Sequence, residues 1–208
     1  PVPEGLAVVA GAARNIAART GGAFDPTVAP AVDLWGFGPT EPPQTVPTPA
    51  AIEAVRMQVG YAAFEVRPTP PALRKARAGL QLDLSALAKG YAVDQLSLLL
   101  EAANVRDYLV DIGGELRVAG ARYGAPWRIA IEPPQDDLGI DYIIAPGPAA
   151  VATSGDYRNF YRLNERRVSH TIDPRTGEPV SHTLAAVSVV AVSAMEADAL
   201  ATALLVMG

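Results

Sequence analysis

Residues 185–207, with the sequence AAVSVVAVSAMEADALATALLVM, have the pattern of a strand before Ser193 and the pattern of a helix after it. The first part, residues 185–192, is apolar and rich in β-branched side chains, as is typical of a buried strand. Ser193 then begins a predicted helix that runs to Met207, and Glu196 stands where it would complete a capping box. A strand that leads directly into a capped helix predicts a domain in which helices pack against a sheet.

The rest of the chain alternates between helical and strand patterns. Apolar residues at helical spacing predict helices at 4–19, 49–59 and 85–103, and Gly21-Gly22 should end the first of them. A long loop rich in proline, glycine and aromatic residues is expected at 23–50. This order predicts one α+β domain over residues 1–208, in which a mixed, largely antiparallel sheet packs against helices. Strands are expected at 64–66, 80–84, 108–112, 115–118, 127–132, 142–145, 151–154, 159–163, 168–172 and 180–184.

Composition excludes several classes of protein. The 208 residues are half apolar and carry a net charge of −5, which excludes a disordered acidic chain and gives no electrostatic argument for nucleic-acid binding. The absence of cysteine excludes disulfides, zinc–thiolate sites, iron–sulfur clusters and thiol nucleophiles. No apolar run reaches the ~18 residues of a membrane span. The sequence also has neither a Gly-x-Ser-x-Gly elbow nor a Gly-x-Gly-x-x-Gly fingerprint, which disfavours a serine hydrolase and a Rossmann dinucleotide site.

The predicted last helix carries a carboxylate that capping does not explain. Asp198 lies beyond the first turn after Ser193, and Thr202 follows on the same helix face. A carboxylate among Ala, Leu and Val is costly unless it is paired, and Mg²⁺ is a cation that takes carboxylate and hydroxyl oxygens. The alternative is a solvent-facing Asp198 beside a Thr202 hydroxyl that bonds back to a helix carbonyl.

A second group of candidates lies in residues 82–92, LDLSALAKGYA, where a predicted strand turns into a predicted helix. Ser85 stands near the N-cap, where free backbone N–H groups suit an anion, and Lys89 adds a positive charge. Gly90 costs about 1 kcal/mol in a helix interior, so a ligand or a neighbouring backbone should approach closely there. The alternative is an ordinary capped helix with a packing glycine. The segment does not have the pattern of a Walker loop.

Two further segments contain candidates for binding and catalysis. Gly113-Gly114 would let backbone N–H groups approach a phosphate or a flavin, and a simple hairpin turn is the alternative. His170 precedes a tight turn that contains Asp173, and an imidazole can accept a proton near neutral pH, so His170 is a candidate base. The alternative is a structural histidine. We interpret His182 as structural or exposed.

These segments occur together in one known family. The chain resembles the FAD:protein FMN transferases, the ApbE-type flavin transferases, in the identity and the order of its motifs over almost its whole length. The matching motifs are TGGAFDP (20–26), LWGFG (34–38), DLSALAKGYA (83–92), YLVDIGG (108–114), TSGDY (153–157), SHTIDPRTG (169–177) and EADALAT (196–202).

The resemblance implies an α/β fold of the T-fold-like, ApbE type and an enzyme that binds FAD and Mg²⁺. In this family FMN passes from FAD to a threonine hydroxyl of an acceptor protein, and AMP leaves. The resemblance assigns the metal ligands to Asp198, Thr202 and the backbone carbonyl of Ala86, and the catalytic groups to His170 and Asp173. The residues that it assigns to the flavin or its phosphates are Asp25, Lys89, Gly113, Gly114, Ser154 and His170.

The resemblance also predicts a partner and a location. The acceptor is expected to be a flavoprotein subunit of a membrane redox complex. The full-length protein is expected in the periplasm or another extracytoplasmic space, with a membrane anchor, because family members usually carry a segment before residue 1 that often bears an extracytoplasmic lipoprotein signal. They also carry a further segment after residue 208. Two other functions stay open: a Mg²⁺-dependent FAD pyrophosphatase that releases FMN and AMP, and a non-catalytic FAD-binding or flavin-delivery protein. The presence of Asp198, Thr202 and His170 counts against the second.

Overall fold

A computed structural model describes residues 1–134, 139 and 142–208. The chain forms two units, each built from separate stretches of sequence. Unit 1 contains Pro1–Leu84, Arg158–Thr183 and Val206–Gly208, and unit 2 contains Ser85–Tyr157 and Leu184–Leu205. The single domain expected over residues 1–208 stays a prediction.

Helices and antiparallel strands make up the regular structure, which confirms the predicted α+β class. The helices are α1 (Glu4–Arg19), α2 (Ala29–Leu34), α3 (Pro49–Arg56), α4 (Ser85–Ala102) and α5 (Ala194–Met207), with a short 3₁₀ helix at Tyr61–Ala63. The strands are β1 (Phe64–Arg67), β2 (Ala72–Lys75), β3 (Tyr108–Ile112), β4 (Glu115–Ala119), β5 (Ala121–Arg122), β6 (Ala125–Pro126), β7 (Ile129–Ile131), β8 (Tyr142–Ile144), β9 (Ala149–Gly155), β10 (Phe160–Leu163), β11 (Arg166–Ser169), β12 (Ile172–Asp173), β13 (Glu178–Pro179) and β14 (Ala186–Ala191).

The first helix begins and ends as its sequence predicts. Its apolar face is buried, and Ala10 packs against Phe64 and Leu80 in unit 1. At its end the Gly22 N–H donates to the carbonyl of Ala17, and both glycines of the Gly21-Gly22 pair have positive φ. Glycine adopts such angles without steric cost, so the pair ends the helix.

The predicted loop at 23–50 contains a helix that the sequence analysis missed. Helix α2 begins one residue before Pro30, a position that suits proline because the first N–H groups of a helix have no partner within it. Trp35 follows this helix and is fully buried, and its Nε1–H donates to the Gly177 carbonyl at 2.8 Å. Leu163 and Val168 pack in the same cluster, so Trp35 lies in a hydrophobic core cluster of unit 1.

Two of the predicted strands are wrong, and the one predicted at 168–172 is divided between β11 and β12. At residues 80–84 the alternation of apolar and polar residues has no neighbouring strand to pair with, and the Asp83 N–H donates to the Pro26 carbonyl instead. Residues 180–184 form no ladder either, because the hairpin ends at β13. Alternation describes a half-buried strand only where a partner strand is present. Strand β2 was not predicted, and it pairs with β1.

Unit 2 is built on a sheet with the strand order β14-β9-β4-β3. Strand β14 was expected to be buried, but alternate residues face solvent, and Val190 is 51% exposed. Helix α4 lies against this sheet, where Val93 packs with Ala150 and Val110. The first residue of α5, Ala194, joins the same cluster. The strand that leads into α5 therefore positions the start of the helix against the core.

Among the described residues, none of the helices has the length and apolar character needed to cross a bilayer.

Candidate metal and flavin site

Asp198 is buried on helix α5, one turn after the helix begins. Only 4% of the residue is exposed, and its Oδ2 atom accepts no hydrogen bond among the described residues. Burial raises the pKa of Asp198 to about 7, and the nearby charge of Glu115 adds to this rise. Lys89 and a hydrogen bond from the Gly90 N–H lower the same pKa. A buried carboxylate oxygen without a hydrogen-bond donor is costly unless a proton or a cation binds it. The solvent-facing alternative for Asp198 is therefore wrong.

Thr202 lies one turn further along α5, on the same face as Asp198. Its hydroxyl lies 3.1 Å from the Ser154 Oγ on β9. Ser154 pairs with Val187 across the sheet, so the strand holds its side chain beside the helix. The structure thus brings together two residues that the sequence analysis assigned separately, one to the metal and one to the flavin.

Lys89 and Glu115 form a close ion pair in the same unit. Their Nζ and Oε2 atoms are 2.6 Å apart, without the angles of a hydrogen bond. The Glu115 side chain is 5% exposed, whereas that of Lys89 is 46% exposed. Lys89 is therefore the positive charge that balances two buried carboxylates, those of Glu115 and Asp198.

Gly113 and Gly114 form the turn between β3 and β4. Both have positive φ, and the Gly114 N–H donates to the Asp111 Oδ1 at 3.0 Å. A two-residue hairpin with positive φ at both positions favours glycine for reasons of backbone geometry alone. The turn lies beside the site, since a Cβ on Gly113 would be 3.7 Å from the Lys89 Cδ. A role of these glycines in flavin binding stays a prediction.

Ala86 lies at a kink in α4. Its ψ of 16° departs from the helical value, so its carbonyl turns away from the helix axis. In a regular helix the N–H of Gly90 would bond to this carbonyl. Here the Gly90 N–H also lowers the pKa of the Asp198 carboxyl group. Both features fit the expected use of the Ala86 carbonyl as a ligand.

The donor atoms in unit 2 suit a hard divalent cation. Asp198 provides a carboxylate oxygen that accepts no hydrogen bond, Thr202 a hydroxyl, and Ala86 a carbonyl. Oxygen donors of these kinds are those of Mg²⁺ sites. The described residues contain no cluster of three His, Cys, Asp or Glu side chains placed to hold a metal. A site with a single carboxylate ligand is consistent with that finding.

His170 lies in unit 1, directly after β11. Its Nδ1 lies 3.1 Å from the Asn159 carbonyl oxygen, and its backbone N–H donates to the same oxygen. A carbonyl can only accept a hydrogen bond, so the proton of the neutral ring is on Nδ1 and the lone pair is on Nε2. Phe37 packs edge-on against the ring, with 6.2 Å between ring centroids. The imidazole is therefore held in the tautomer that a general base needs.

Asp173 and Asp25 both have extensive contacts within unit 1. Asp173 accepts bonds from the Arg175 guanidinium and from the Arg175 backbone N–H, so it stabilises the turn after His170. Asp25 is 5% exposed and accepts bonds from the hydroxyl and N–H of Thr27 and from the Tyr61 N–H. Burial raises the pKa of Asp25, and these hydrogen bonds partly offset the rise. Their predicted roles in catalysis and flavin binding stay predictions.

Comparison with known proteins identifies the family. The family model described as the ApbE family matches residues 1–208, which is the whole chain. The chain belongs to the ApbE family. The described fold agrees with this: the chain superposes on the apo form of Pseudomonas stutzeri flavinyl transferase ApbE with a TM-score of 0.88 at 42% identity, covering 100% of this chain and 64% of that one.

Other members of the ApbE family are similarly close. The Vibrio cholerae flavin transferase ApbE gives a TM-score of 0.86 at 41% identity, over 100% of this chain and 66% of that one. The FAD:protein FMN transferases of Salmonella typhimurium and Escherichia coli K12 are 43% and 40% identical over 100% of this chain. The chain spans 61% and 60% of the length of these two relatives.

Sequence analysis missed two charged residues in unit 2 of this ApbE-family chain. Glu115 pairs with Lys89 and acts electrostatically on Asp198, and its position directly after Gly113-Gly114 gave only a weak signal. Asp94 is 8% exposed and accepts hydrogen bonds from the start of α5. Its partners lie about a hundred residues later in the chain, so no local pattern could have revealed them.

Proposed function

We propose that this chain is the flavin-transferring part of a Mg²⁺-dependent FAD:protein FMN transferase. The observation that carries the proposal is Asp198, a buried carboxylate with an unbonded oxygen, one turn from the Thr202 hydroxyl. Membership of the ApbE family and the activity for which the relatives are named support the choice of FAD as substrate.

Asp198, Thr202 and the Ala86 carbonyl would hold the Mg²⁺ ion. When bound, Mg²⁺ neutralises charge on pyrophosphate oxygens and so favours phosphoryl transfer. The hydroxyl of Ser154 orients that of Thr202 through their hydrogen bond. Lys89 adds a positive charge that Glu115 holds in place. These groups of unit 2 would bind and orient the phosphates of FAD.

His170 is the proposed base for the acceptor. Its Nε2 lone pair takes the proton from the threonine hydroxyl, while the Asn159 carbonyl keeps the other proton on Nδ1. The threonine oxygen forms a bond to the FMN phosphorus, the bond from that phosphorus to the bridging oxygen breaks, and AMP leaves with that oxygen. Asp173 and its partner Arg175 stabilise the turn next to His170.

The remaining assignments follow from the family. Asp25, Gly113 and Gly114 are proposed to line the flavin or its phosphates. The proposed acceptor is a flavoprotein subunit of a membrane redox complex. The proposed location is extracytoplasmic, with the full-length protein anchored to the membrane.

One reaction tests the proposed function against its alternatives. The protein is incubated with FAD, Mg²⁺ and a threonine-bearing acceptor, and acceptor mass and AMP are measured. A gain of one FMN group per acceptor, with an equal amount of AMP, is expected. AMP with free FMN and an unmodified acceptor would show a pyrophosphatase, and bound FAD without AMP would show a non-catalytic carrier. Asp198→Asn serves as the control without the metal ligand.

A further inference from the structure

Asp94 connects the two helices that carry the proposed metal ligands. It lies on α4 and is 8% exposed. Its Oδ1 accepts a hydrogen bond from the Ala194 N–H at 2.9 Å, and its Oδ2 accepts one from the Met195 N–H at 3.0 Å. The hydroxyl of Ser193 donates to the same Oδ2 at 2.8 Å. A side chain of one helix thus caps the beginning of the other.

This cap fixes α5 by its backbone. The first N–H groups of a helix have no partner within the helix, and a carboxylate satisfies them and complements the positive end of the helix dipole. The local cap Ser193 reaches only the Glu196 N–H, so Asp94 satisfies the two N–H groups that Ser193 leaves. Arg117 lies 3.2 Å from the Asp94 Oδ1 and balances its charge.

A close backbone contact one turn away on α4 strengthens the same connection. A Cβ on Gly90 would overlap the Ala194 carbonyl oxygen, so the two backbones touch at this point. Gly90 and Asp94 are spaced by one helical turn and share one face of α4, and Ala86 stands four residues before Gly90 at the kink of this helix. The same part of α4 therefore fixes the start of α5 and carries the proposed carbonyl ligand.

We infer that Asp94 is a positioning residue for the metal site, because its carboxylate fixes the Asp198-bearing helix relative to the Ala86 carbonyl. Asp198 lies one turn after the capped residue Ala194, so a shift of this first turn would change the position of the Asp198 carboxylate relative to the Ala86 carbonyl. Asp94 touches neither metal nor substrate and acts through the two helices. The inference rests on the metal site in the proposed function.

The test is the affinity for Mg²⁺ of the protein without FAD, measured by calorimetry. Asp94→Asn keeps the size of the side chain but replaces one acceptor oxygen by an NH₂ group. In either orientation of the amide, the NH₂ group cannot accept the bonds of the oxygen that it replaces, those from Ala194 and Arg117 at Oδ1 or those from Met195 and Ser193 at Oδ2. We expect the Kd for Mg²⁺ to rise by a factor on the order of 10 to 100, the range for residues that orient metal ligands. An unchanged Kd in folded Asp94→Asn would overturn the inference.

Two control variants separate positioning from stability and from charge. Val118→Ala removes buried side-chain volume in the same unit and should lower the melting temperature without raising the Kd. Arg117→Met removes the ion pair and leaves the cap, so its Kd should stay close to that of the wild type. A Kd in either control as high as in Asp94→Asn would overturn the positioning role.

Two further variants keep the test decisive. If Asp94→Asn does not fold, Ser193→Ala removes one of the bonds to Oδ2, and a smaller rise of the Kd is expected; an unchanged Kd in this variant would overturn the inference. Asp198→Asn tests the site itself. If the wild type and Asp198→Asn bind Mg²⁺ equally, the metal site of the proposed function is refuted. If the Kd for Mg²⁺ rises in Asp198→Asn but not in Asp94→Asn, only the role of Asp94 is refuted.

Discussion

The backbone N–H of Gly90 on α4 lowers the pKa of the Asp198 carboxyl group on α5. Helix α4 thereby stabilises the negative charge that α5 buries. The Oδ2 atom of this carboxylate accepts no hydrogen bond from the described residues. The protonation of Asp198 should therefore govern both the stability of the protein and its affinity for a cation.

Mg²⁺ should compete with a proton at Asp198. Because its pKa is raised to about 7, the carboxyl group is largely protonated below that pH. The apparent affinity for Mg²⁺ should therefore fall by about tenfold for each pH unit below 7 and level off above it. Calorimetric titration of the protein without FAD across this range measures the effect. A constant affinity from acid to alkaline pH would contradict the assignment.

The pH dependence of the stability of the metal-free protein should be the opposite: its free energy of unfolding should fall as the pH rises. The folded protein binds the Asp198 proton more tightly than the unfolded chain, where the pKa has its ordinary value of 3.8. This contribution is present at low pH and is lost as the pH rises from 3.8 to about 7. The loss is at most ~1.4 kcal/mol per pH unit. Asp198→Asn cannot titrate at this position. The free energy of unfolding, measured in urea, should therefore fall with pH more steeply in the wild type than in the variant. Parallel pH profiles of the two proteins would refute the titration of Asp198.

Gly90→Ala should destabilise unit 2. A Cβ at this position would overlap the Ala194 carbonyl oxygen, and backbone cannot move aside as a flexible side chain can. We expect a loss on the order of 3 kcal/mol in the free energy of unfolding. Gly79→Ala is the matched control, because an added Cβ there meets nothing within 4 Å. Equal stability of the two variants would contradict the proposed contact.

The Thr202 hydroxyl can be tested by two substitutions of similar size. Thr202→Val replaces the oxygen by a methyl group, and the affinity for Mg²⁺ should fall by a factor on the order of ten or more. Thr202→Ser keeps the oxygen and should bind Mg²⁺ much as the wild type does. Ser154→Ala removes only the neighbouring hydroxyl, so its effect should be smaller than that of Thr202→Val. Calorimetry ranks the three variants by their affinity for Mg²⁺. Wild-type affinity in Thr202→Val would exclude the Thr202 hydroxyl as a ligand.

His170→Ala should slow transfer without preventing FAD binding. Loss of a general base lowers the rate by a factor on the order of 10² to 10⁴. Single-turnover transfer to the acceptor measures the rate, and FAD binding is measured separately by fluorescence. The other histidine offers a control, since the ring nitrogens of His182 are buried and make no hydrogen bond with the described residues. Equal rates in His170→Ala and His182→Asn would remove His170 from the proposed mechanism.

The local features of α5 could be predicted from the sequence. Ser193 caps the helix through the Glu196 N–H, and the helix ends at Met207 as expected. The unusual position of Asp198 could also be recognised from the sequence, because a charged residue beyond the first turn of a helix has no capping role. These features depend on residues within a few positions of each other, which is the range over which sequence patterns carry information.

The contacts that complete the site could not be predicted. The carboxylate of Asp94 caps a helix that begins a hundred residues later, and within α4 it has the pattern of an ordinary surface charge. Glu115 is likewise indistinguishable in sequence from a solvated strand residue, yet it is buried against Lys89. At residues 80–84 the sequence predicts a strand that does not form, since a strand pattern without a neighbouring strand to pair with forms no strand. Each case depends on pairing across the chain.

The bond from Trp35 to the Gly177 carbonyl bears on how the protein is synthesised. It joins residues 142 positions apart within unit 1, and the whole first part of unit 2 is translated between them. A growing chain therefore cannot complete the core around Trp35 until the hairpin of β12 and β13 has left the ribosome. Chains that stop before residue 177 would expose this tryptophan and its apolar neighbours, so premature termination should give aggregating products rather than a folded fragment.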